Sequence, residues 1–278
     1  MNNDLLVHAF ADNAALVSSM ILPVEKRVFT ISGIQTLVTL NGSGRNLLCL
    51  HGWGASHESF AELRETMKSD PVRIIAPDLP GFGESGILTR AWSVDDYADH
   101  IAELVKILDL TDVFLLGHSH GGRVAIKLAS RGYPWISHLY LCAAAGIRRS
   151  KHFRRKVGIL LASIGKTICS IPGLRTLQPT ARKLLYKFLM VHDYERAEGA
   201  LKETMVRVID EDMTPLLDRI VVPTDLFWGE DDTMTPLADA IIMNKKIVQS
   251  NLLTFAGVRH RVHRDRAGEV AGVIRKAL

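Results

Sequence analysis

The apolar run Val113-Phe114-Leu115-Leu116 leads directly into Gly117-His118-Ser119-His120-Gly121-Gly122, and no other stretch restricts the fold as tightly. The first four residues read as a buried strand, and the residues from Gly121 onward read as a helix. A chain that passes from strand to helix within one residue must hold that residue in a strained backbone conformation. Neighbours without a Cβ are then needed on both sides, and Gly117 and Gly121 supply them. Ser119 at the tip of such a turn projects its hydroxyl outward. The N–H of His120, which opens the helix, points to where an oxyanion would form. The expectation is a nucleophilic serine.

Around this element, short apolar runs alternate with longer helical patterns. Candidate strands are Arg27–Ile31, Gln35–Leu40, Leu47–Leu50, Arg73–Ala76, Val113–Leu116, His138–Cys142, Thr224–Trp228 and Leu252–Phe255. Candidate helices are Ser56–Ser69, Ser93–Leu108, Gly121–Arg131, Pro236–Val248 and Asp265–Ala277. The pattern predicts an α/β fold: a mostly parallel eight-stranded sheet flanked by helices, antiparallel at its start through the short turn at Ser32-Gly33. Functional groups in such sheets gather at the C-terminal ends of the strands.

Between Ile147 and Met213 the alternation stops and amphipathic helical patterns follow one another. The expected organisation is a helical N-terminal extension over 1–22, a core made of 23–146 and 214–278, and a helical cap inserted over 147–213. The cap holds fourteen Lys/Arg against seven acids, a net of +7 in a chain whose formal charge is +4. Solvated helix faces are the plain reading, with an anionic substrate or a membrane surface as the alternative. Ile159, Leu160, Ile164 and Ile168 either line an acyl pocket or fasten the cap to the core.

The overall charge is too mild to imply a nucleic-acid partner. Cys49, Cys142 and Cys169 lie far apart in apolar runs and read as small buried hydrophobes without zinc or disulfide spacing. No stretch reads as a signal peptide or membrane span, so a soluble, cytoplasmic protein is expected.

A serine nucleophile needs a base within reach and an acid to hold that base. Asp231 and Asp232 sit in the loop Gly229-Glu230-Asp231-Asp232 after one candidate strand, and His260 and His263 follow the last strand. The order along the chain is therefore serine, acid, histidine. With Leu50-His51-Gly52-Trp53-Gly54 after the third strand and Asp78-Leu79-Pro80-Gly81-Phe82-Gly83-Glu84-Ser85 after the fourth, the chain from about Arg27 onward resembles the α/β-hydrolase superfamily. The resemblance implies Ser119, Asp232 and His260 as the catalytic residues. Asp232 is selected over Asp231 by its spacing from Gly229 and Pro236. The resemblance gives His263 a supporting position, assigns the oxyanion-stabilising N–H groups to Trp53 and His120, and places His51, Gly52, Gly117 and Gly121 around them. The sequence departs from the family pattern at Arg259, where a glycine is common, and at Ala267, where a proline often opens the last helix.

Serine at the elbow argues against the dehalogenase and epoxide hydrolase branches, which carry aspartate there. The expected activity is cleavage of small carboxylic esters with short to medium acyl chains through an acyl-enzyme, without cofactor or metal. Lactonase, thioesterase or carbon–carbon bond hydrolase activity is the alternative within the fold, and non-catalytic small-molecule binding the alternative of another class. Gly121-Gly122-Arg123 also resembles menaquinone-pathway enzymes of this fold, the plain reading being that Arg123 faces solvent. His118 and His120 lack the further ligands that a metal site would need. His8, His57, His100, His138, His152 and His192 read as ordinary surface or half-buried residues.

Overall fold

The computed structural model describes residues 24–148 and 199–278. Its centre is an eight-stranded sheet built from β1 (Glu25–Ile31), β2 (Ile34–Gly42), β3 (Arg45–Leu50), β4 (Val72–Pro77), β5 (Val113–His118), β6 (Ile136–Cys142), β7 (Thr224–Gly229) and β8 (Ser250–Phe255). The strands lie in the order β1-β2-β4-β3-β5-β6-β7-β8. Only the β1–β2 and β2–β4 pairs are antiparallel, and every pair from β4–β3 to β7–β8 is parallel. β5 and β7 are buried along their whole length, as strands covered on both faces must be. The turn between β1 and β2 places Ser32 and Gly33 both at positive φ, the conformation that lets a two-residue hairpin follow the twist of its strands.

The helices of the core are α1 (Ala61–Thr66), α2 (Val94–Ile107), α3 (His120–Ser130), α5 (Leu237–Lys246), α6 (Val262–Asp265) and α7 (Ala267–Arg275), with α4 (Ala200–Asp210) on the returning limb of the insertion. A reciprocal cap starts α2: the Ser93 hydroxyl accepts from Asp96 N at 3.2 Å, and the Asp96 carboxylate accepts from Ser93 N at 2.7 Å. One helix expected as continuous is interrupted, and a short helix that was not expected precedes another. The first begins as a 3-10 turn over His57–Phe60 before α1, with Phe60 at φ −107°. The last, expected over Asp265–Ala277, is observed as α7, and α6 stands before it, parted from it at Arg266, whose φ −130° and ψ 37° are not helical. Neither break is marked by proline, and no glycine lies at either one.

The insertion is closed at its base. Met213 N–H donates to Gly146 O at 2.8 Å, and the Arg148 guanidinium pairs with Asp210 at 2.7 Å. Arg123 on α3 does not face solvent, contrary to the plain reading of the sequence. It is buried and donates to the Glu211 carbonyl at 2.6 Å, so the helix that follows Ser119 grips the end of α4. Of the histidines expected to be at the surface or half-buried, His57 and His100 are instead buried, whereas His138 is half-buried and paired with Asp225 at 2.8 Å. Cys49 and Cys142 are buried free thiols, whereas Cys169, Ile159, Leu160, Ile164, Ile168 and residues 1–22 lie outside the described residues. Among the described residues no helix is long and apolar enough to cross a membrane.

The turn after β5 has no room for a side chain on its glycines. A Cβ on Gly117 would lie 2.5 Å from Gly121 O, and one on Gly121 would lie 2.0 Å from Leu50 O. Gly121→Ala is expected to lower stability in urea denaturation by about 3 kcal/mol, because the clash is with backbone that cannot rotate away. Gly272→Ala, in the interior of α7 with nothing within 4 Å of the added Cβ, should instead raise it, by up to about 1 kcal/mol.

Candidate active site

Ser119 occupies the one residue between β5 and α3, with φ 50° and ψ −110°. A non-glycine residue at positive φ is strained, and the neighbouring backbone holds it there. Ser119 N–H donates to Cys142 O at 3.2 Å, while its carbonyl accepts from Ala145 N at 2.9 Å and Arg123 N at 3.1 Å. The expected sharp turn is therefore present, with Ser119 at its tip.

The loop after β7 brings Asp232, rather than the exposed Asp231, to the histidine. Asp232 Oδ2 lies 2.8 Å from His260 Nδ1 and 2.8 Å from the Thr235 hydroxyl. Its Oδ1 accepts from the backbone N–H groups of Met234 at 2.8 Å and Thr235 at 3.0 Å. Burial alone would raise the Asp232 pKa. The hydrogen bond and charge of His260, with the Thr235 contacts, outweigh it and hold the carboxyl below the usual range. A carboxylate that only accepts fixes the proton of His260 on Nδ1. Nε2 has no hydrogen-bond partner among the described residues and is the nitrogen left for a substrate-side role. Ser119 and His260 share no hydrogen bond here, and such contacts commonly tighten only when substrate is bound.

The loop after β3 completes the arrangement. His51 is fully buried; its Nε2 accepts from Leu79 N at 2.9 Å, so its proton sits on Nδ1 and is donated to Gly52 O at 2.7 Å. It thereby ties the Gly52-Trp53 segment to the loop after β4. The Trp53 ring meets Phe82 and His120 edge-on at 4.8 and 5.3 Å. Among the described residues neither the Trp53 nor the His120 N–H is taken by another group. The first turn of a helix leaves such donors unused.

Two supports were not anticipated. Thr235 braces the Asp232–His260 pair from one side, and its hydroxyl also lies 3.1 Å from Ala143 O. Asp78, fully buried, accepts from His57 N at 2.6 Å, His57 Nδ1 at 2.9 Å and Glu84 N at 2.7 Å. It therefore joins the loop after β4 to the turn before α1. The Asp78 motif was visible in the sequence, but its partner His57 carried no local signal.

Comparison with known proteins identifies the family of the fold. Residues 47–273 match the model of the alpha/beta hydrolase family, and the chain belongs to that family. An uncharacterised protein of Mycobacterium tuberculosis is 24% identical over 93% of this chain and 82% of its own length. A 2-hydroxymuconate semialdehyde hydrolase of Pseudomonas is 32% identical over 45% of each chain. The structure of an esterase from Exiguobacterium antarcticum superposes with a TM-score of 0.73 at 22% identity, covering 91% of this chain and 99% of that one.

The site and its surroundings hold an unusual number of uncharged imidazoles. Burial pushes His51 and His100 down to about 4 and His120 and His263 to about 3, and it holds His118 well below the ordinary value of 6.5. The unfolded chain takes up protons on these residues as pH falls through 6.5 while the native protein resists. Stability is thus complete above pH 6.5 and declines below it, each histidine contributing up to about 1.4 kcal/mol per pH unit. Urea midpoints at pH 7.5 and pH 5.0 should differ strongly, with the lower value at pH 5.0; equal midpoints would contradict the assignment.

Proposed function

We propose that this hydrolase-family chain is a serine hydrolase that cleaves small carboxylic esters with short to medium acyl chains through an acyl-enzyme, without a cofactor. The observation that carries the reading is the buried Asp232–His260 hydrogen bond, which leaves His260 Nε2 unpaired, together with Ser119 on its strained turn. In this reading His260 takes the Ser119 proton as the hydroxyl oxygen attacks the ester carbonyl carbon. Asp232 keeps the imidazole in the required tautomer and stabilises its positive charge. The N–H groups of Trp53 and His120 receive the oxyanion, and the proton on His260 passes to the departing alcohol. Water then enters, gives a proton to the same histidine and releases the acid, restoring Ser119. His51, Gly52, Gly117 and Gly121 set the backbone that these donors depend on.

The choice of esters rests on the serine at the elbow and on the commonness of this chemistry in the family. The partial likeness to a semialdehyde hydrolase favours a second reading, cleavage of a carbon–carbon bond next to a carbonyl, by the same residues. We place the protein in the cytoplasm on the sequence reading.

Hydrolysis of p-nitrophenyl esters from two to sixteen carbons, run beside fluorophosphonate labelling, tests the proposal. Wild type should label and turn over the shorter esters. Ser119→Ala should lose both, with turnover down by on the order of 10⁶, and Asp232→Asn should remain folded with turnover down about 10⁴. Labelling without ester turnover would redirect the search to lactones, thioesters and diketones. Folded wild type that fails to label would leave only the binding-protein alternative.

A further inference from the structure

His118, immediately before Ser119, is not used by the chemistry described above. It is buried, and its Nε2 lies 3.0 Å from the main-chain carbonyl oxygen of His260. A carbonyl can only accept, so the ring carries its proton on Nε2 and donates it. The same ring stacks on His263 with centroids 3.9 Å apart and planes 34° apart, and it meets the His260 ring at 4.9 Å. Its other edge faces the oxyanion loop: a Cβ on Gly52 would fall 2.9 Å from His118 Nδ1 and 3.3 Å from Ser119 Cβ. One side chain thus touches the nucleophile's turn, the base loop and the loop that supplies Trp53.

From this juxtaposition we infer that His118 is a positioning residue for the base: its hydrogen bond to the His260 carbonyl fixes the height of the His260 imidazole above Ser119. The inference rests on the serine-hydrolase reading. Asp232 fixes one end of the His260 ring, and the Asp231 N–H holds the loop at Val258 O, 3.0 Å away, which leaves freedom at the main chain of His260 itself. The bond to the main chain of His260 removes that freedom, and it comes from the residue next to the nucleophile, so base and nucleophile move as one unit. An uncharged donor suits the place. A cation at 118 would repel the imidazolium that forms on His260 during the reaction, whereas burial and the neighbouring histidines keep this ring neutral. Misplacement of a reacting group by about 1 Å costs on the order of a hundredfold in rate.

The test compares wild type with His118→Leu, which removes the donor, and His118→Gln, whose amide can place an N–H near the former Nε2. With p-nitrophenyl butyrate, His118→Leu should lose about 10²-fold in kcat with little change in KM, and His118→Gln should regain most of the loss. In ¹⁵N-histidine NMR, which needs no turnover, the His260 ring resonances should shift in His118→Leu and return toward wild type in His118→Gln. Unchanged kcat in His118→Leu overturns the inference. So does equal impairment of the two variants, which would give the role to the ring stack on His263. If wild type neither turns over ester nor labels with fluorophosphonate, the serine-hydrolase reading falls, and the NMR decides the coupling alone: unshifted His260 resonances in His118→Leu would overturn it.

Discussion

The backbone of Ser119 is the constraint on which the rest of the molecule depends. A residue at φ 50° and ψ −110° between strand and helix sits about 1–3 kcal/mol above a relaxed one, so its surroundings must hold it in place. They do so through three hydrogen bonds to β6, to the segment just after it and to the second turn of α3. The helix also presses against the end of β3, so closely that Gly121 leaves no space for a methyl group beside the Leu50 carbonyl. Because β3 and β6 both neighbour β5, the same contacts that strain Ser119 fix the loops leaving those strands. The loops that carry Asp232 and His260 leave β7 and β8, further along the same sheet. A single sheet register therefore sets all four parts of the site.

Around this turn the protein has used imidazoles as neutral struts. The partner of each ring decides its tautomer: the Leu79 N–H makes His51 Nε2 an acceptor, the Asp232 carboxylate puts the His260 proton on Nδ1, and the His260 carbonyl puts the His118 proton on Nε2. A histidine can give on one side and receive on the other, so it links two loops where a lysine, which only donates, would not. The cost is sensitivity to acid where the ring accepts, since a charged His51 could no longer receive the Leu79 N–H.

Most of the scaffold was legible in the sequence because its signals are local. Apolar runs of four to six residues located all eight strands, and the spacing around Gly229 and Pro236 distinguished Asp232 from its neighbour Asp231. The break at Phe60 and the short α6 before Arg266 were not legible, since neither Phe60 nor Arg266 is a helix breaker. The burial of Arg123 was hidden for a related reason. Its partner is a main-chain carbonyl 88 residues away, at the end of an insertion, and periodicity says nothing about such a contact. His57 and His118 were present as letters, but their roles depend on Asp78 and the His260 carbonyl, brought together only by the sheet.

The closure at the root of the insertion gives the molecule a modular joint. Gly146 and Met213 are bonded to each other, Arg148 pairs with Asp210, and Arg123 locks Glu211 to the nucleophile's helix. The two ends of the intervening chain are thus clamped together by the core itself. A replacement segment of different length or composition joined at that clamp would leave the strained turn at Ser119 undisturbed, because lengthening a loop whose ends are already held costs only about 0.6 kcal/mol per doubling. The joint lets the intervening segment be exchanged by evolution or by grafting while the core that holds Ser119 stays the same.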